Sequence, residues 1–181
     1  MKADILILCG GKGSRIKPII GDIPKCLAPI AGKPFICHLL DQFESQGFGR
    51  FIFLLGHKSE RIIKYLQDHR PGESEYVYSV EPHPLGAAGA IFNARDLIKS
   101  GVYIVVNGDT FCDVDYNKLV LIHRVVNPHS GSEHLYRGVS TGIFVLDKDW
   151  LNTAEISVPF YDIGTPEGYN LVKDGFPERK K

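Results

Sequence analysis

Ile5-Leu6-Ile7-Leu8-Cys9 runs directly into Gly10-Gly11-Lys12-Gly13-Ser14-Arg15. Five apolar residues in succession read as a strand buried on both faces, and the glycines place a loop where a helix would otherwise begin. The loop opens at the carboxyl end of that strand. Open α/β sheets bind their ligands at such ends, so both the fold and the site can be read outward from this stretch.

Downstream, Phe35, Ile36, Leu39, Leu40 and Phe43 recur at helical spacing between Pro34 and Gln46, with Gly47 as a stop. Phe51 to Leu55 is the next apolar strand, and Ser59 is placed to cap a short helix carrying Ile62, Ile63 and Leu66. Tyr76 to Val80 gives a third strand. Ala87 to Ile98 reads as a helix with Ala90, Ile91, Ala94, Leu97 and Ile98 inward, and Val102 to Val106 as a fourth strand. Strands alternating with helices predict a three-layer, doubly wound, mostly parallel α/β sheet of Rossmann-like form. Beyond Asp109, Tyr116 to Val126 looks helical, Gly142 to Leu146 extended and Pro166 to Val172 helical. Asn127 to Arg137 reads as a flexible connection, and Glu178 to Lys181 as a frayed tail.

The length of 181 residues suits one domain. Lysine plus arginine and aspartate plus glutamate stand at 21 each, so no global field draws the chain to nucleic acid or to an acidic membrane. The longest apolar run is too short to span a bilayer and lacks the flanks of a signal peptide, so a cytoplasmic protein is expected. Cys9, Cys26, Cys37 and Cys112 form no CxxC pair and no zinc-ligand spacing; they are expected to be reduced, mostly buried thiols. The seven histidines show no HExxH pattern and are read as surface or satisfied core groups.

The glycine loop fails two phosphate-binding patterns. A Walker loop needs Ser or Thr after its lysine, where Gly13 stands, and a dinucleotide fingerprint needs a third glycine where Ile16 stands. What remains is GGKGSRIKP, followed closely by PKCLAPIAGKPF. Further blocks succeed it in chain order: EPHPLGAAGA around Glu81, VNGDTF around Asp109, STGIF around Gly142 and YDIGTPEGY around Asp162.

This ordered set resembles the signature of the sugar nucleotidyltransferases, within them most nearly the guanylyltransferases acting on mannose 1-phosphate or D-glycero-D-manno-heptose 1-phosphate. The resemblance implies transfer of a nucleoside monophosphate, GMP from GTP, to a sugar 1-phosphate with release of pyrophosphate. Thymidylyl or uridylyl transfer to a hexose 1-phosphate stays open as an alternative, as does a module that binds nucleotide without transfer. Chemistry of this kind asks the protein chiefly to position reactants and to neutralise charge. Arg15, with its fixed fork of donors, suits the departing β- and γ-phosphates; Lys25, a mobile point charge, suits the α-phosphoryl oxygens and the incoming phosphate. The resemblance further implies Asp109 and Asp162 as the carboxylates for Mg²⁺, a hard ion commonly held by one or two carboxylates plus substrate phosphates. It assigns Leu8, Gly10, Gly11, Gly13, Ser14, Glu81 and Gly86 to the nucleotide, and Gly108, Thr141 and Gly142 to the sugar. Glu81 would offer an acidic acceptor for the N1–H and exocyclic amine of guanine.

The second half departs from this pattern. Around 127–138 and 150–160 the chain is shorter than the family's and lacks its Glu-Lys pair for the sugar phosphate. A naturally minimal enzyme, a degenerate nucleotide-binding protein and a sequence with omitted segments are the alternatives. Oligomeric state is not legible, and a homo-oligomer is left open.

Overall fold

In the computed structural model, which describes residues 3–69, 74–126, 143–147 and 160–176, the opening run forms the central strand β1 (Asp4–Cys9). Its neighbours are β4 (Arg50–Leu55) on one side and β6 (Val102–Asn107) on the other, both parallel to it. β5 (Glu75–Val80) pairs parallel with β4, and β8 (Ile143–Asp147) closes the far side antiparallel to β6. The sheet order is β5-β4-β1-β6-β8.

Side chains two apart on a strand share a face, and this period sorts the core into two layers. Ile5, Ile7, Phe51, Phe53, Leu55, Ile104 and Val106 face α2 (Phe35–Ser45), α3 (Ser59–His69), α5 (Tyr116–Val126) and α6 (Pro166–Val172). Leu6, Ile52, Leu54, Tyr103 and Val105 face Ala90 and Ile91 of α4 (Gly86–Asn93), together with Ala94 and Ile98. Helices thus cover both faces, as the apolar strands require. Each such residue hidden from water contributes about 1.5–3 kcal/mol.

Two local readings need correction. The helix expected over Ala87 to Ile98 ends at Asn93; the chain then tightens into a 3₁₀ turn at Arg95–Leu97. That turn delivers the N–H groups of Lys99 and Ser100 to the Asp4 carboxylate, at 2.7 and 3.0 Å. Asp4 is buried and also pairs with Arg50 at 3.0 Å, so one satisfied carboxylate ties the amino ends of β1, β4 and β6. The third helix begins at Ser59 itself, which makes Ser59 a helical residue and not the residue before the helix. Between β1 and α2 lie a four-residue helix α1 (Lys17–Ile20), a 3₁₀ turn at Lys25–Leu27, and a hairpin of β2 (Pro29–Ile30) and β3 (Lys33–Pro34), all too short to show periodicity.

After β6, the strand β7 (Thr110–Cys112) pairs antiparallel with β9 (Phe160–Asp162). Thr165 then caps α6, its hydroxyl accepting from Gly168 N–H at 3.1 Å with Pro166 in the first turn. Among the described residues no helix is long and apolar enough to cross a membrane, and all four cysteines are buried and outside any disulfide. Thr141, Gly142, Asn127 to Arg137 and nearly all of 150–160 lie outside the described residues, as do the last residues 177–181.

Candidate active site

Leu8, Leu54 and Asn107 stand side by side in register at the carboxyl ends of β1, β4 and β6. They floor a cavity of about 460 Å³ walled by Gly10, Gly11, Lys12, Glu81, Pro84, Gly86, Ala87 and Ala90. A second cavity of about 260 Å³ shares Leu8, Gly11 and Asn107 with the first and adds Cys9, Lys25, Cys26, Gly108 and Asp109. The two form one crevice across the end of β1, where helices on opposite faces of the sheet part.

Glu81 leaves β5 with its N–H bonded to Leu55 O at 2.9 Å. Its side chain turns back over the glycines: Oε2 accepts from Leu85 N–H at 3.1 Å, and Oε1 lies against the backbone of Gly10 and Gly56. Among the described residues Oε1 has no hydrogen-bond donor, and Glu81 lines the larger cavity beside main-chain groups.

In the smaller cavity Lys25 Nζ is ion-paired with Asp109 Oδ2, both side chains largely shielded from water. Gly13 turns the loop beside Lys25 with a φ of +62°; a methyl there would meet Lys25 Cβ at 3.3 Å. Asp109 follows a tight passage: Gly108 N–H donates to Leu8 O at 2.9 Å. A Cβ on Gly108 would fall 2.3 Å from Cys9 Sγ and 2.9 Å from Leu8 O, so no larger residue fits as the backbone stands. The Cys9 thiol is raised well above its ordinary pKa, first by the Cys26 side chain, then by burial and by Asp109.

The chain brings Asp162 to the same corner. β9 sets Asp162 opposite Thr110, and Ile163 N–H donates to Asp109 O at 2.9 Å. Beyond it, α6 clasps the hairpin that follows Lys25: Tyr169 Oη donates to Pro29 O at 3.0 Å and Ala31 N–H to Lys173 O at 2.8 Å. The segment after Asp162 therefore braces the segment after Lys25.

Leu8, Gly10, Gly11, Glu81 and Gly86 meet in the larger cavity, and Lys25, Gly108 and Asp109 in the smaller. Gly13, Ser14 and Arg15 lie on the loop outside both, with Arg15 exposed and free of ion pairs among the described residues. Lys12 and Asn107 also line the crevice, although the sequence reading assigned them no role. Their signals were the loop position of Lys12 and the place of Asn107 as the last residue of an apolar strand.

A family model described as nucleotidyl transferase matches residues 4–131, the span that builds both cavities. The D-glycero-alpha-D-manno-heptose 1-phosphate guanylyltransferase of Campylobacter jejuni is 44% identical over 116 residues, which are 64% of this chain and 52% of that protein. The enzyme of the same name from Aneurinibacillus thermoaerophilus is 35% identical over 120 residues, 66% of this chain and 52% of that one. The chain thus spans about half the length of these curated relatives. Over 96% of its residues it superposes on 99% of a crystal structure of HddC from Yersinia pseudotuberculosis complexed with GMP-PN, with a TM-score of 0.78 and 29% identity. A glycine loop after the central strand, a lysine and an aspartate converging from distant segments, and a family match over that same span agree: the chain belongs to the nucleotidyl transferase family.

Proposed function

We propose that the protein transfers GMP from GTP to a sugar 1-phosphate, D-glycero-D-manno-heptose 1-phosphate before mannose 1-phosphate, and releases pyrophosphate. The observation that carries this reading is the single crevice in which a base-sized cavity ending at Glu81 adjoins a polar one holding Lys25 and Asp109. The names of the relatives support the choice of guanine and heptose.

In this reading guanine lies over Leu8, Gly10 and Gly86, with its N1–H and exocyclic amine toward Glu81 Oε1. The triphosphate follows the loop past Gly11, Gly13 and Ser14, where the glycines let an anion approach the backbone closely. A sugar phosphate oxygen forms a bond to the α-phosphorus while the bond to the β-phosphate oxygen breaks in line. Lys25 balances charge on the α-phosphoryl oxygens, and Arg15 meets the departing pyrophosphate.

Asp109 and Asp162 would hold Mg²⁺. The donor set fits: hard carboxylate oxygens from two segments that the β7–β9 pairing makes neighbours. Bound there, the ion would neutralise phosphate charge and orient the triphosphate. Before it binds, Lys25 offsets the Asp109 charge. The sugar would enter beside Gly108, with Thr141 and Gly142 as further contacts.

The test is pyrophosphate release from GTP, UTP, dTTP and CTP with each sugar phosphate. GTP with the heptose 1-phosphate should turn over fastest. Faster release from UTP or dTTP would remove the guanine assignment, and nucleotide binding without release from any pair would remove the transferase reading.

A further inference from the structure

Glu81 follows β5, two strands away from β1, yet its carboxylate reaches the end of β1. Cys9 and Leu55 face each other in register; just beyond them His57 N–H donates to Gly10 O at 3.1 Å, and Glu81 N–H donates to Leu55 O at 2.9 Å. Gly56 therefore stands between Gly10 and Glu81 at the carboxyl edge of the sheet. The Glu81 side chain lies over it: a Cβ on Gly56 would fall 2.4 Å from Oε1, 3.1 Å from Cδ and 3.0 Å from Gly10 O, and a Cβ on Gly10 would fall 3.0 Å from the same Oε1. Conformation does not ask for glycine at position 56, because its φ lies outside the left-handed region that Gly13 and Gly86 occupy. What the position requires is the space.

We infer that Gly56 determines base specificity: by carrying no side chain it lets the Glu81 carboxylate lie across the end of β4 beside the nucleotide cavity, where it selects guanine. Gly56 does not itself wall that 460 Å³ cavity, so it is a positioning residue that acts through Glu81. A methyl there displaces Oε1, since a carbon and an unbonded oxygen do not stand 2.4 Å apart. Oε2 accepts from Leu85 N–H at 3.1 Å, so the displacement also pulls on the bond that orients the carboxylate. Room for the displaced group exists, because Glu81 shares with Gly56, His57 and His83 a further cavity of about 250 Å³. The clash is thus relieved by moving one side chain and not by opening the sheet. The selection of guanine rests on the guanylyl transfer proposed above, whereas the steric coupling of positions 56 and 81 does not.

A double-mutant cycle over Gly56→Ala and Glu81→Ala in the full chain tests the coupling. Gly56→Ala alone should lower the thermal midpoint by about 5 °C, and with Glu81→Ala already present the same change should cost less than about half of that. If Gly56→Ala folds only alongside Glu81→Ala, the coupling stands. An equal loss in both backgrounds would overturn it, as would failure of both chains to fold. Equilibrium titration with Mg²⁺-GTP and Mg²⁺-UTP reads the base. Gly56→Ala should cut the preference for GTP at least about tenfold, through weaker GTP binding, and should cut it no further once Glu81→Ala is present. A preference that survives Gly56→Ala in a folded chain would overturn the specificity role. An unsubstituted chain that binds GTP no better than UTP would fault the guanine reading, and the thermal midpoints would still decide whether Gly56 makes room for Glu81.

Discussion

Lys25 and Asp109, separated by 84 positions in sequence, are joined side chain to side chain at the carboxyl ends of the central strands. An ion pair shielded to this degree holds its geometry but leaves a costly charge behind if one partner is lost. Removing Lys25 as Met should therefore act twice. Transfer should fall by about 10²–10³-fold, as for loss of one preorganised donor to a charged reacting group. Stability should fall by about 1–3 kcal/mol because Asp109 loses its partner. Steady-state turnover and a urea melt on the same preparation check both.

Two glycines separate packing from binding. Gly108→Ala places a methyl where Cys9 Sγ and Leu8 O already stand, so it should destabilise the fold by about 1–3 kcal/mol. Gly11→Ala meets nothing within 4 Å and should leave stability within about 0.5 kcal/mol. It should nevertheless weaken triphosphate binding by about tenfold, because the methyl occupies the crevice. Thermal melts with a nucleotide titration distinguish the two.

Base choice should depend on Glu81. With Glu81→Ala the ratio of kcat/KM for GTP over UTP should drop at least about tenfold, since guanine loses its acceptor and uracil does not. The cost in stability should stay near 1 kcal/mol, the worth of the bond from Leu85 N–H. A ratio that does not move would place guanine recognition elsewhere.

Alkaline stability should fall with a defined sign. Burial pushes the Cys112 thiol from 9.0 up to about 12, and burial with Cys112 and Asp113 raises the Tyr116 hydroxyl. Both groups keep their protons in the folded chain at a pH where the unfolded chain has lost them. Their contribution is thus complete below about pH 9 and is lost as pH climbs toward 12, at about 1.4 kcal/mol per pH unit for Cys112 alone. Urea midpoints from pH 7 upward should show this decline, and Cys112→Ala should make it shallower.

The sheet was legible because Ile5 to Cys9, Phe51 to Leu55 and Val102 to Val106 are buried on both faces, which leaves continuous apolar runs. The glycine loop and Glu81 were legible through the ordered blocks around them. The antiparallel direction of β8 was not, since strand polarity leaves no mark in composition. Nor was the break after Asn93, which answers to a carboxylate at Asp4 far away in sequence. The pairing of Lys25 with Asp109 depends on loops converging after the sheet is formed, and neither spacing nor periodicity encodes that.

The central claim is that cationic and acidic groups from distant segments act together on one triphosphate. The most direct measurement is Mg²⁺-dependent formation of the guanosine diphosphate sugar by Asp109→Asn combined with Asp162→Asn, with circular dichroism run alongside. The account predicts a folded protein whose magnesium-dependent product formation has been lost. Product formed at the unsubstituted rate, with the same dependence on magnesium, would contradict it.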